Sequence, residues 1–124
     1  MTVTPPQLGR PVGADGEQTR ARIIAAAMRC VGEAGYTRAT IREIARTAEM
    51  TSGSLYHYFA NKSELLDATV SEMDQIALPR LRAAAAQSDH IVDRLVAVFD
   101  ESGRLMREYP DLAAFEWVLR AENA

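Results

Sequence analysis

The sequence predicts an all-α protein, with a trihelical head followed by a partial helical second unit. Three observations predict it. Apolar residues recur at spacings of three and four over almost the whole chain after Gly16. Two cap-x-x-Glu signals, Thr40 with Glu43 and Asn61 with Glu64, each stand just before an apolar run. No β-alternation, internal repeat or low-complexity tract interrupts this pattern.

The elements follow in order. Residues 1–16 hold Pro5, Pro6, Pro11 and three glycines, and read as a flexible arm. Ile23, Ile24, Ala27, Cys30, Val31 and Ala34 mark one face of a helix over Thr19–Ala34. Gly35 stands where a helix-ending glycine belongs. Thr40 caps a second, short helix carrying Ile41, Ile44, Ala45 and Ala48. After a break near Glu49–Thr51, Ser52 can cap a third helix through Phe59, with Leu55 and Phe59 as its core side. Asn61 starts a fourth helix that runs to Pro79, which is expected to kink or end it because proline removes a donor and clashes with the preceding turn. Asp89 opens a fifth helix, and Pro110 suits the first turn of a last one. Two short helices joined by about three residues after a longer one describe a helix-turn-helix, homeodomain-like head. The domain boundaries expected are 1–16 for the arm, 17–62 for the head and 63–124 for an apparently incomplete helical regulatory or ligand domain.

Composition narrows the function classes. The chain has 124 residues, 48% hydrophobic and 25% charged, the range of a globular protein. No run of about 18 apolar residues exists, so no membrane span is expected. The single cysteine, Cys30, fits a reducing cytoplasm, and its place on the apolar face suggests a buried, inert thiol. Residues 1–62 carry eight Lys/Arg and five Asp/Glu (+3), and residues 63–124 carry six and twelve (−6), which together give the net −3. That asymmetry suits a basic face on an acidic protein. His57 and His90 make no catalytic set, and His90 reads as a surface residue. No metal cluster, phosphate-cradling glycine loop or nucleophile–base pair stands in the sequence, so neither an enzyme nor a cofactor is expected.

The segments Thr40–Ile41–Arg42–Glu43–Ile44–Ala45, Gly53–Ser54–Leu55–Tyr56–His57–Tyr58–Phe59 and Asn61–Lys62–Ser63–Glu64–Leu65 closely resemble the head of the TetR family, as do Arg22–Ile23–Ile24, Ala26–Ala27 and Gly35–Tyr36 upstream. The resemblance covers roughly residues 19–66. It implies a DNA-binding transcription regulator that acts as a repressor released by a small-molecule inducer, with a double-stranded operator and a homodimeric state. One departure stands out. The family commonly has Ala-Gly-Val in its turn, and this chain has Ala48–Glu49–Met50. A left-handed residue there would bear a backbone cost of about 1 kcal/mol or more.

The resemblance and the usual docking of this motif single out the DNA-facing residues. Thr51, Ser52, Gly53 and Ser54, at the amino end of the third helix, are small enough to approach base edges, or are simply cap residues. Tyr56 matches the family's phosphate-binding tyrosine, with His57 and Tyr58 as further polar reach; the alternative for the aromatics is packing. Lys62, the only lysine, matches the family's phosphate-binding lysine and lies at a helix amino end that also favours an anion. Thr40 can cap its helix and touch phosphate. Arg42 sits in a first turn where the dipole disfavours a cation, which a DNA contact or a carboxylate partner would explain. Arg20, Arg22 and Arg38 add general attraction, and Arg10 on the arm can reach a minor groove. An inducer is expected between the fourth and later helices, lined by Met73, Phe99, Met106, Phe115 and Trp117, each of which also reads as ordinary core. The rival readings are a truncated interaction module that pairs with a full-length regulator, and an α-helical enzyme, for which no convergent site exists.

Overall fold

The computed structural model describes residues 12–122. In chain order the helices are α1 (Val12–Ala34), α2 (Ile41–Thr47), α3 (Ser52–Tyr56), α4 (Lys62–Ala85), α5 (Ile91–Glu108) and α6 (Pro110–Glu122). Among the described residues there is no strand. Arg10 and the rest of residues 1–11 lie outside them. Val12–Gly16, expected as arm, are already helical, and Asp15 in that first turn complements the positive end of the helix dipole.

The chain punctuation is local and mostly as predicted. Gly35 takes φ 86° and its N–H reaches the Val31 carbonyl at 2.8 Å, ending α1. Thr40 Oγ1 accepts from the Glu43 N–H at 3.1 Å, and Asn61 Oδ1 accepts from the Glu64 N–H at 2.8 Å. Thr51, not Ser52, caps α3, because its Oγ1 reaches the Ser54 N–H at 3.1 Å. The regular part of α3 stops at Tyr56. Its continuation toward Phe59 is a tightened turn, with His57 N–H bonded to Ser54 O and Tyr58 N–H to Leu55 O. α5 begins at Ile91, two residues after the expected Asp89, and His90 holds the cap position with its N–H on Ser88 Oγ.

Glu49 adopts φ 61°, the left-handed turn that the departure from glycine raised. Met50 N–H bonds Ala45 O at 2.9 Å and Glu49 N–H bonds Arg46 O at 3.0 Å, the paired bonds of a Schellman ending. Met50 packs on the core that contains Ile44 and Ala45, the apolar contact that accompanies this ending.

Two clusters of buried side chains share α1. One joins Ile23, Ile24 and Ala27 to Ile44, Leu55, Phe59 and Leu65, and closes the head. The other joins Met28 and Val31 to Ala39, Met73, Leu112 and Phe115. The last helix therefore returns to the first. Its residues 112, 115 and 119 follow helical spacing onto α1. Gly32 permits this approach: a Cβ there would stand 3.1 Å from that of Ala114 and 3.3 Å from the Phe115 nitrogen. Cys30 is half-buried between the two clusters, less enclosed than its apolar face suggested, with Sγ 3.4 Å from Thr47 Oγ1.

Pro79 does not end α4, which continues to Ala85. It lies on the exposed side of the helix, where the carbonyl its ring leaves without a donor can be hydrated. The residue after it anchors the continuation. Arg80 donates to Glu101 at 2.6 Å and to both oxygens of Glu108, at 2.6 and 3.2 Å, across to α5.

Candidate nucleic-acid interface

The α3 segment is held by two side chains. Leu55 and Phe59, four residues apart, are both buried in the head core. The rest of the segment faces outward: Thr51, Gly53, Ser54 and His57 are exposed, Tyr56 is 50% exposed, Tyr58 is 37% exposed and Ser52 is half-buried. Ser54, His57 and Tyr58 share one side by helical spacing. A Cβ on Gly53 would meet only Thr51 Oγ1, at 3.9 Å, so nothing crowds the helix at this point. The Thr51 hydroxyl also donates to Ser54 Oγ at 3.0 Å, which leaves the Ser54 hydroxyl proton free to be offered elsewhere.

α1 and α2 carry exposed arginines. Arg42 and Arg46 are four residues apart on the exposed side of α2. The sequence reading overlooks Arg46, although its spacing from Arg42 is the signal that would find it. Neither forms an ion pair among the described contacts, so the carboxylate partner considered for Arg42 does not appear there. Arg20 lies 5.2 Å over the Phe59 ring, a cation–π contact that ties α1 to the end of the α3 segment. Arg22 and Arg38 are exposed, and Thr40 is exposed at the start of α2.

Lys62 is half-buried rather than free. Its Nζ donates to the Tyr36 carbonyl and sits 4.1 Å over the Tyr36 ring. The Tyr36 N–H is in turn held by the Glu122 carboxylate, at 3.0 and 3.3 Å. One residue of the α1–α2 loop is thus gripped by the first residue of α4 and the last of α6. The ammonium still has two further N–H donors. The sequence shows Tyr36 and Lys62 but not this junction, because Glu122 lies 86 residues from Tyr36.

The residues expected to line an inducer cavity do not meet in one. Met73 and Phe115 are buried in the second core, while Phe99, Met106 and Trp117 lie exposed on the surface. A half-open cleft of about 310 Å³ does lie between α1, α4 and the α5–α6 junction, lined by Met28, Ile76, Tyr109 and Leu112, with Glu72 and Asp111 at its rim. None of the five expected residues lines it. Beside it, the Arg80 guanidinium holds the Glu108 and Glu101 carboxyls below their ordinary range through its hydrogen bonds, with Arg104 adding to the effect on Glu101. Those same bonds, to Glu108 first and Glu101 next, raise Arg80 further. No group of three His, Cys, Asp or Glu among the described residues is placed to hold a metal ion, and no described helix is long and apolar enough to cross a membrane.

Comparison with known proteins agrees with this geometry. Residues 23–69 match the sequence profile described as "Bacterial regulatory proteins, tetR family". The HTH-type transcriptional regulator UidR of Escherichia coli is 32% identical over 82 residues, 66% of this chain and 41% of UidR. SmeT, the repressor of the Stenotrophomonas maltophilia multidrug efflux pump SmeDEF, superposes with a TM-score of 0.63 at 32% identity, covering 80% of this chain and 50% of that one. A TetR family transcription regulator from Marinobacter aquaeolei VT8 shares the fold at a TM-score of 0.77 and 20% identity, over 86% of this chain and 56% of its own. The chain spans about half the length of these relatives, or less. The head, over residues 23–69, is similar to the tetR family of bacterial regulatory proteins.

Proposed function

We propose that this chain is a cytoplasmic transcription regulator that binds duplex DNA sequence-specifically, with α3 in the major groove. The observation that carries the reading is the way α3 is mounted. Two buried side chains, Leu55 and Phe59, fix it to the head, and its hydroxyls, tyrosines and histidine are left outward. Thr51, Ser52, Gly53 and Ser54 read base edges or the nearest phosphates. Thr40, Arg42, Tyr56, His57, Tyr58 and the spare donors of Lys62 grip the backbone and set the register. Regulation is by repression, the protein works as a homodimer on a two-fold operator, and a small molecule releases it. The cleft between α1, α4 and the α5–α6 junction takes that molecule, because it combines an apolar floor with direct contact to the first helix of the head.

The test is selection from a random duplex pool at low salt, followed by sequencing. An enriched two-fold motif supports specific binding by two heads, and an enriched single half-site supports recognition by one head. Absence of enrichment even after fusion to a dimerising tag sinks the DNA-recognition reading.

A further inference from the structure

Among the described residues, two cations are seated over aromatic rings: Lys62 over Tyr36 at 4.1 Å and Arg20 over Phe59 at 5.2 Å. Lys62 already has a place in the phosphate grip proposed above. Arg20 has none, because from sequence an arginine on the outer side of α1 adds only general attraction. Its seat says more. Phe59 ends the α3 segment and is buried in the head core with Ile23, Leu55 and Leu65. Arg20 reaches over that ring from α1, beside the outward-facing Tyr58 and three residues before Lys62 opens α4. Stacking and hydrogen bonding use different parts of a guanidinium. The ring takes its flat face, while the N–H donors lie in the plane at its edge. Arg20 therefore spends no donor on Phe59, and it forms no ion pair among the described contacts. Its neighbours are held differently. Arg22, two residues along α1, lies in a separate shallow groove with Arg29, Thr47 and Asp111. Arg38 is exposed on the loop before α2, with no ring contact among the described residues.

We infer that Arg20 is a phosphate-binding residue: with its guanidinium ordered on Phe59, it donates in its plane to one backbone phosphate of the duplex whose major groove holds α3. The inference rests on the DNA-binding reading above and adds a contact which that reading does not contain. Two properties of the seat suit the role. An edge of parallel N–H donors matches the oxygens of a phosphate. A side chain already ordered in the free protein loses less freedom when it binds. The contact also brings α1 into the interface. The same helix carries Met28 and Val31 into the second core, so one continuous element joins this phosphate to the half that holds the cleft.

The experiment measures binding of the whole chain, tagged for dimerisation if the selection requires it, to the duplex that the selection enriches. Salt is varied from about 50 to 200 mM, the span over which phosphate contacts are strongly weakened. Arg20→Met keeps an unbranched stem over Phe59 and removes charge and donors. It is expected to weaken binding about tenfold or more at the low-salt end, as the loss of a charge-assisted bond should. It should also reduce the slope of log K against log salt by about one. Arg20→Lys should restore the slope but not the full affinity, because a point charge lacks the planar fork. Arg22→Met should stay within about twofold of the parent, its charge lying in the other groove and screened by salt. Methylphosphonates, each neutralising one phosphate, then locate the contact: one position should weaken the parent and leave Arg20→Met unaffected. If Arg20 serves only to pack Phe59, Arg20→Met will melt lower yet keep the parental salt slope and methylphosphonate pattern, and the inference is overturned. It is overturned equally if Arg22→Met loses as much as Arg20→Met, since the attraction would then be diffuse. A parent that binds no duplex, tagged or untagged, removes the DNA-binding reading and this contact with it. A parent that binds while Arg20→Met binds equally well removes the contact alone.

Discussion

Replacing Glu49 by glycine is expected to stabilise the head. Glu49 holds φ 61° at the ending of α2, and its N–H and that of Met50 complete the paired bonds to Arg46 and Ala45. A residue with a Cβ loses about 1–2 kcal/mol in that conformation relative to its preferred ones. Glycine avoids the clash but gives up about 0.5–1 kcal/mol through its freer unfolded chain. The net gain from Glu49→Gly is therefore about 0.5–1 kcal/mol. Glu49→Ala is the control, because it removes the carboxylate and keeps the Cβ. In urea the glycine variant should move the midpoint upward by a few tenths molar against the alanine variant, with unchanged slope. Its thermal midpoint should rise by about 2–5 °C. The backbone bonds of the turn need no side chain, so the base preference of the head should not change. A glycine variant no more stable than the alanine variant would refute the strain argument, and a change in slope would mean that the unfolded state had been altered instead.

Three further outcomes are expected. Thr51→Ala should lower stability by about 1 kcal/mol by removing the α3 cap, whereas Ser54→Ala should leave melting within about 0.5 kcal/mol and instead change which base pairs are selected; parallel melts and duplex selections separate the two. Lys62→Ala should weaken binding to all duplexes alike and flatten the salt dependence by about one phosphate contact, while Glu122→Ala should loosen only the Tyr36 amide in hydrogen exchange and leave the salt slope intact. The Arg80 network should be acid-sensitive in a defined direction. Glu101 and Glu108 have carboxyls lowered from 4.5, so their contribution is complete above that value and is lost as pH falls through the lowered folded values. Thermal midpoints followed from about pH 6 to 3 should drop less steeply in Arg80→Met than in the parent.

Much of the head was legible because its determinants act within a few residues. The caps at Thr40 and Asn61, the helix-ending Gly35, the opening Pro110 and the buried pair Leu55 and Phe59 are each set by local backbone donors or by a single helical period. The same locality limited precision. Thr51 and Ser52 are adjacent hydroxyl residues, and only the observed geometry selects Thr51 as the cap of α3. The site residues along α3 could be placed on a helix from sequence. That Lys62 spends one donor on Tyr36 could not, because the partner loop and the Glu122 brace are brought there by the return of α6.

The second half divides along the same line. Periodicity located α5 and α6 but could not say which way a stripe faces, since an apolar face is a demand for a neighbour and carries no address. Gly32 and Ala114 let α6 dock closely on α1, and that contact buries Phe115. The ion network of Arg80 turns the charged side of α5 inward, and so leaves Phe99 and Met106 outside although both read as core or lining. Pro79 is expected from its own chemistry to kink or end the helix, but its exposed position and the anchoring of Arg80 let the helix continue to Ala85. Most of the helices and the caps at Thr40 and Asn61 could be read from sequence alone, because they follow from backbone hydrogen bonds and spacing within a turn or two. Which faces meet and where the cleft lies emerge only in the folded chain, because they depend on residues brought together from distant parts of the sequence.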